Sequence, residues 1–307
     1  MPLATSREIL QRALTEHFAV GAFNANNMEQ IQAIVEVAQE ERAPVILQVS
    51  QGAIRYAGLS FAAGMVKIAA SMVDVPVVLH LDHGTSFEQN VLCLREGFTS
   101  LMFDGSKLPF EENVAITHRI CEIAHIAGIP VEAELGKVLQ ATAGVSAEEV
   151  EAAMTDPDRA LEFVQRTGAD SLAVAAGSVH GMTGRQATLD IDRIERIRRK
   201  VNIPLVLHGS SGVKHDSVVA AIEHGICKVN VATYLNQAFV EAMKESLEIR
   251  PNVIDPRKHL SPAREAVKER VREKMRLFGS SGRISANGGF ASPRTVHRSV
   301  ELGGAEE

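Results

Sequence analysis

The chain has no tryptophan and only two tyrosines among 307 residues, so an aromatic-rich binding face is not expected. Its three cysteines, Cys93, Cys121 and Cys227, are widely spaced, with no CxxC pair and no even framework. That excludes a disulfide scaffold and points to a reduced, cytoplasmic setting. Basic residues are not in excess: 32 Lys and Arg against 38 Asp and Glu leave a net charge of -6. Nucleic acid and anionic membrane surfaces are therefore not expected partners. No apolar run approaches the ~20 residues of a membrane-spanning helix. The first ten residues, MPLATSREIL, lack the charged start and apolar middle of a signal peptide. What is present, 45% hydrophobic and 23% charged residues, is the composition of a folded globular chain.

Short apolar, β-branched runs recur at 19–23, 45–49, 77–81, 100–103, 129–133, 171–175, 204–208 and 227–231. Helical periodicity lies between several of them. Residues 28–42 place Ile31, Ile34, Val35 and Ala38 on one stripe, 110–127 do the same with Val114, Ile120, Ile123 and Ala124, and 190–200 with Ile191, Ile194 and Ile197. Eight strand-helix units predict an α/β fold with a parallel sheet, most simply a closed (β/α)8 TIM barrel, typically ~250 residues. An open doubly wound sheet would carry a Gly-rich turn after its first strand. NANNMEQ stands there instead. Residues 258–277 read as one extra C-terminal helix. The expected layout is one barrel domain over 1–280 and a flexible Gly- and Ser-rich tail over 281–307.

Polar residues gather at the C-terminal ends of all eight runs, where a barrel places its active site. These are Asn24, Ser50 with Gln51, Asp82 with His83, Asp104 with Ser106, Glu134, Ser178 with His180, His208 to Ser211, and Asn230 to Thr233. Any one histidine alone reads better as a hydrogen-bonded strand cap. Together, His83, His180 and His208, each followed by Gly, suit a catalytic metal with one open position. Asp82 is placed to be a ligand, a support or an acid/base. His80 shares its face and reads as a buried support. Glu132 and Glu134 share a face too; an outer support, an alternative metal site and pairing with Lys or Arg inside the barrel all remain open. Gly209, Ser210, Ser211 and Thr233 follow the last two runs, the usual phosphate position of such barrels. Lys228 raises a rival chemistry, a Schiff base with a ketone.

The motifs GAFNANN at 21–27, PVVLHLDHG at 76–84, VEAELG at 131–136, LAVAAGSVHG at 172–181, PLVLHGSSG at 204–212 and KVNVATYL at 228–235 resemble those of the class II, zinc-dependent ketose-bisphosphate aldolases. The resemblance covers residues 1 to about 280. It implies the barrel fold and a soluble homodimer or homotetramer in carbohydrate metabolism. It also implies cleavage or formation of a phosphorylated ketose, giving dihydroxyacetone phosphate and an aldehyde through a zinc-stabilised enediolate. By the same resemblance His83, His180 and His208 match the zinc ligands and Asp82 the catalytic acid/base. Gly181, Gly209, Ser210, Ser211, Asn230, Val231, Ala232 and Thr233 match the site for dihydroxyacetone phosphate, with Asn24 and Ser50 beside it. Asp104 and Glu134 match a second or displaced metal position, another divalent ion can replace zinc, and a monovalent cation is admitted besides. Arg257, from a neighbouring subunit, is the candidate for the distal phosphate. One departure stands out. Where the family carries a mobile-loop Glu and a following acid, this chain has Thr142 and Ala143. That motivates the alternatives of a divergent aldolase, isomerase or epimerase for another phosphosugar, or a non-catalytic sugar-phosphate-binding protein. It also makes Glu148 and Glu149 candidate replacements for the missing acid.

Overall fold

The computed structural model describes residues 3–140, 146–180 and 187–291. Ten strands occur among them: β1 (Val20–Asn24), β2 (Val45–Ser50), β3 (Val77–Asp82), β4 (Leu101–Phe103), β5 (Val131–Leu135), β6 (Leu139–Gln140), β7 (Ser171–Val174), β8 (Val179–His180), β9 (Leu205–Leu207) and β10 (Ile226–Val231). Eight form one parallel sheet in the order β3-β2-β1-β10-β9-β7-β5-β4. The sheet closes on itself through parallel bridges His80–Ser100 and Gly84–Phe103, supported by Leu81 N to Ser100 O at 3.1 Å and Thr99 N to Leu79 O at 2.9 Å. The expected (β/α)8 barrel is present, with each strand within a residue or two of its predicted run. The short β6 and β8 pair with one another above it.

Strand parity organises the barrel. Outward residues such as Val45, Leu47 and Val49 are buried under the helices, as a parallel sheet covered on its outer face requires. Inward residues change from apolar to polar along the strands: Val20, Ala22, Asn24; Ile46, Gln48, Ser50; Val78, His80, Asp82; and in β10, whose register shifts between Ile226 and Lys228, Cys227, Lys228, Asn230. The apolar ends need a cover. The helix Ser6–Glu16 supplies it, packing Ile9, Leu10, Ala13 and Leu14 against Val20, Ile46 and Val78. The polar ends are left to form the opposite mouth.

The extra C-terminal helix is Arg257–Leu277. It buries Val267, Val271 and Met275 completely. Pro262 inside it cannot donate to the Lys258 carbonyl, and Ser246 Oγ and Arg250 take that carbonyl instead, each at 3.3 Å. Residues 281–291, read from their glycine and serine content as part of a flexible tail, are in fact tied down. Gly282 N donates to Glu41 O at 2.7 Å and Ile284 N to Arg42 O at 2.9 Å, Ile284 is buried, and Arg12 stacks over Phe290 at 4.6 Å. Two backbone bonds and two apolar anchors outweigh the local flexibility of that composition. Residues from 292 onward lie outside the described set. No helix among the described residues is long and apolar enough to cross a membrane.

The cover should be separable from the mouth. Leu10→Ala is expected to lower stability by about 2–5 kcal/mol, the usual cost of a large-to-small change in a core. Activity at temperatures where the variant stays folded should be unchanged. Chemical denaturation and a parallel activity assay check both.

Candidate active site

The polar mouth encloses a cavity of about 550 Å³. Asp82 ends β3 and is buried at its floor. It accepts from Asn24 Nδ2 at 2.6 Å and lies 3.4 Å from Asn230 Nδ2. Asn24 is itself aimed: its Oδ1 accepts from Gln48 Nε2 at 2.9 Å, which leaves its amide nitrogen for Asp82. Gln48 was not singled out in the sequence. The signal was available, since a glutamine amid VILQVS has the same inward parity as Ser50. Burial disfavours the Asp82 carboxylate, but the nearby His83, Lys228 and His208 charges and the Asn24 bond prevail, and its pKa is lowered.

His83 follows with φ 50°, in the left-handed region, which turns its ring back over the mouth. The glycine after it is needed for packing: a Cβ at Gly84 would meet Met102 O at 2.6 Å. This glycine therefore serves the chain's own backbone rather than a close approach to a ligand. His83 Nδ1 donates to Asp104 Oδ2 at 2.8 Å, and Asp104 Oδ1 accepts from Ser106 N and Oγ. Burial opposes a charge on His83, yet Asp82, Asp104 and Glu134 raise its pKa to about 10.

His208 is fully buried, its ring 4.7 Å from that of His83. Its Nε2 donates to Glu132 Oε1 at 3.0 Å, so its Nδ1 faces Glu134 Oε2 at 3.2 Å. The same Glu134 oxygen is 3.7 Å from His83 Nδ1 and makes no hydrogen bond among the described residues. One donor atom each from His83, Glu134 and His208 lie within 4.8 Å of one another. Two imidazoles and a buried carboxylate fit a divalent ion. The surroundings fit one as well. The carboxylates that hold protons on His83 and His208, both raised against their burial, would equally hold a metal in exchange for them. Glu134 thus joins His83 and His208 in one group, while Asp104 bonds His83 and is not among these three. Gly181 and the side chain of His180 lie outside the described residues, as do Thr142 and Ala143.

Under this floor the two glutamates separate. Glu132 grips Lys228 Nζ at 2.8 and 3.0 Å. Burial raises its pKa, and Lys228 and His208 more than reverse that. His80, predicted as a support, bonds Ser100 Oγ at 2.8 Å and lies 3.4 Å from Lys228 Nζ. Burial and the Lys228 charge lower the pKa of His80 to about 3 and keep it neutral. Lys228 is fully buried and is not part of the cavity wall.

Along the other wall, Gly209, with φ 65°, starts a short 3-10 turn at Ser210–Gly212, and Ala232 precedes the 17-residue helix Thr233–Ile249. Ser210 Oγ donates to Asn230 O at 2.5 Å and ties these loops together. Gly209, Ser210, Ser211, Asn230, Ala232 and Thr233 all line the cavity. Val231 points away into the core, so its side chain cannot touch a ligand. Backbone N–H groups at a helix start suit an anion. Ser50 lines the cavity and caps the helix Gln51–Ala57. Arg55, Lys107 and Lys137 stand exposed at the rim; no motif announced them. Arg257 is exposed, pairs with Asp255 at 2.8 Å and is absent from its own cavity. Glu149 is taken up in capping its helix by bonding Ser146 N at 2.8 Å.

The Lys228 pair makes a test. Borohydride added with a ketose phosphate should trap no adduct, as mass spectrometry would show. Lys228→Met should cost about 3–5 kcal/mol in thermal or chemical unfolding, because it strands Glu132 as a lone buried charge.

The family model for class-II fructose-bisphosphate aldolase matches residues 4–283. The fructose-bisphosphate aldolase of Geobacillus stearothermophilus is 47% identical over 288 residues, covering 93% of this chain and all of its own. That of Thermus caldophilus is 45% identical, covering 92% of this chain and 99% of its own. Among solved structures, the YdjI aldolase of Escherichia coli K12 superposes with a TM-score of 0.80 at 38% identity, covering 91% of this chain and 98% of its own. A barrel of this topology, carrying buried carboxylates and imidazoles at its mouth and matched over nearly its full length, belongs to the class-II fructose-bisphosphate aldolase family of metal-dependent carbon–carbon lyases.

Proposed function

We propose that the protein cleaves and forms a fructose- or tagatose-bisphosphate-like ketose, releasing dihydroxyacetone phosphate and an aldehyde, with zinc as the resident metal. The observation that carries this is the convergence of Asp82, His83 and Glu134 at one cavity floor, with His208 grouped beside His83 and Glu134, next to the Gly209–Ser211 and Ala232–Thr233 loops. His83, His208 and Glu134 would hold the ion, with His180 as the remaining family-matched ligand. When bound, the ion supplies Lewis-acid stabilisation of the negative charge that develops on the ketose oxygens. Asp82, kept ionised, takes the proton of the C4 hydroxyl as the C3–C4 bond breaks. Asn24 and Asn230 hold its carboxylate in place, and Asn230 also faces the substrate. The two loops bind the C1 phosphate and fix the orientation of the bond to be broken. Cytoplasmic location and a homo-oligomer complete the proposal, with Arg257 of a neighbouring subunit reaching toward the distal end of the substrate.

Asp82→Asn should retain the metal, by elemental analysis, and lose about 10²–10⁴-fold in rate. Loss of the metal in that variant would make Asp82 a ligand. Full activity in metal-free wild-type protein would overturn the metal assignment.

The rim supports a second anionic group. β9 and β10, which carry the phosphate loops, lie opposite the β3–β4 seam in the closed sheet. Arg55 follows β2, Lys107 follows β4 and Lys137 follows β5, so these cations flank that seam. Replacing all three with Met should raise KM for a phosphorylated aldehyde at least ~10-fold, the effect of losing about one charged hydrogen bond. Unphosphorylated glyceraldehyde should be little affected. Equal effects on both aldehydes would remove the rim from substrate recognition.

A further inference from the structure

The loop after β9 and the helix after β10 are tied at their inner ends by the Ser210–Asn230 bond. A second connection joins them further out, through the C-terminal helix. Tyr234, next to Thr233, donates its hydroxyl to Glu273 Oε2 at 2.7 Å. Lys274, the next residue on the C-terminal helix, places Nζ 3.2 Å from His215 Nε2 and 4.0 Å from Glu273 Oε1. His215 begins the helix that follows the Ser210–Gly212 turn. Arg270 stacks over the Tyr234 ring at 4.9 Å, its guanidinium 3.6 Å from Glu273. One turn of the extra helix therefore grips both walls of the anion cradle.

We propose that Tyr234, Glu273 and His215 are positioning residues for phosphate-monoester recognition. They hold the two walls of the cradle at the separation a phosphate needs, through a helix that lies outside the eightfold repeat. The physical reason lies in the donors themselves. Backbone N–H groups bind an anion strongly only when they converge, and the two walls come from separate elements, the turn after β9 and the helix start after β10. Lys274 is buried, so the connection is screened less than a surface ion pair. The inference rests on the assignment of these loops as the phosphate site.

The test uses the metal-loaded enzyme and glycerol 3-phosphate, a phosphate monoester that cannot react. Calorimetry should show Tyr234→Phe and Glu273→Ala weakening its binding about 5- to 10-fold, the worth of one ordinary hydrogen bond. Glu273→Gln keeps an oxygen for Tyr234 and should recover most of the affinity lost in Glu273→Ala. In the condensation direction KM for dihydroxyacetone phosphate should rise in the two weakened variants, while KM for the aldehyde stays constant. Unchanged affinity in both, even with a lowered melting temperature, would overturn the proposal and leave the network a purely structural one. So would wild-type protein that does not bind glycerol 3-phosphate. Wild-type protein that binds it but turns over no ketose phosphate would instead overturn the substrate assignment and leave the cradle standing.

Discussion

The buried pair of Lys228 and Glu132 is the constraint from which the site follows. Two charges at the centre of a barrel, both removed from water, carry a desolvation cost of several kcal/mol each, and mutual contact at 2.8 Å with further bonds offsets it. Those further bonds are the important part. Glu132 Oε1, shared with Lys228, also accepts from His208 Nε2, which fixes the ring and leaves Nδ1 facing Glu134. Lys228 reaches His80, and His80 reaches Ser100, which meets Ser6 of the covering helix at 2.8 Å. A polar column thus runs through an otherwise apolar barrel, from the cover at one end to the His208 imidazole at the other. Supporting carboxylates of this kind set both the orientation and the basicity of a ligating histidine.

Above that column the mouth concentrates negative charge. Asp82, Asp104 and Glu134 face His83, Glu132 and Glu134 face His208, and these carboxylates raise the affinity of both rings for protons against their burial. In the proposed reading, a metal site and a proton-accepting carboxylate have opposite needs. The ligands must be electron-rich, while Asp82 must stay ionised beside them. The cationic surroundings of Asp82, together with the amides of Asn24 and Asn230, reconcile the two. Gln48 matters for the same reason, since it decides which end of the Asn24 amide meets the carboxylate.

The C-terminal helix has a double role. Its apolar face completes the outer layer, and its surface ion pairs, such as Arg264 with Glu36 at 2.6 Å and Arg276 with Glu41 at 2.6 Å, align it along the helix Met28–Glu40. Exposed pairs of this kind contribute little each. Burial of Val267, Val271 and Met275 holds it in place. From that fixed position its last turns reach Tyr234 and His215.

Eight strands, their order along the chain and the residues at their C-terminal ends were legible in the sequence because they are local facts. Apolar runs alternate with helical periods, and a period of two assigns Asn24, Asp82, Glu134 and Asn230 to the inner face without knowledge of any partner. His80 could be read as a support from that parity, and His83, His180 and His208 as one group from their place at the strand ends of a closed barrel. The same parity could not say which of Glu132 and Glu134 meets Lys228, because that depends on the stagger between strands far apart in sequence. Nor could it show that Gly84 packs on Met102 O, that residues 281–291 fold back on Glu41 and Arg42, or that Arg55, Lys107 and Lys137 share one rim. Those are distances across the closed sheet. The sequence by itself determined what each strand presents to the interior; only the tertiary structure decided what stands opposite, because a hydrogen bond or an ion pair requires a few ångströms of separation that no local pattern encodes.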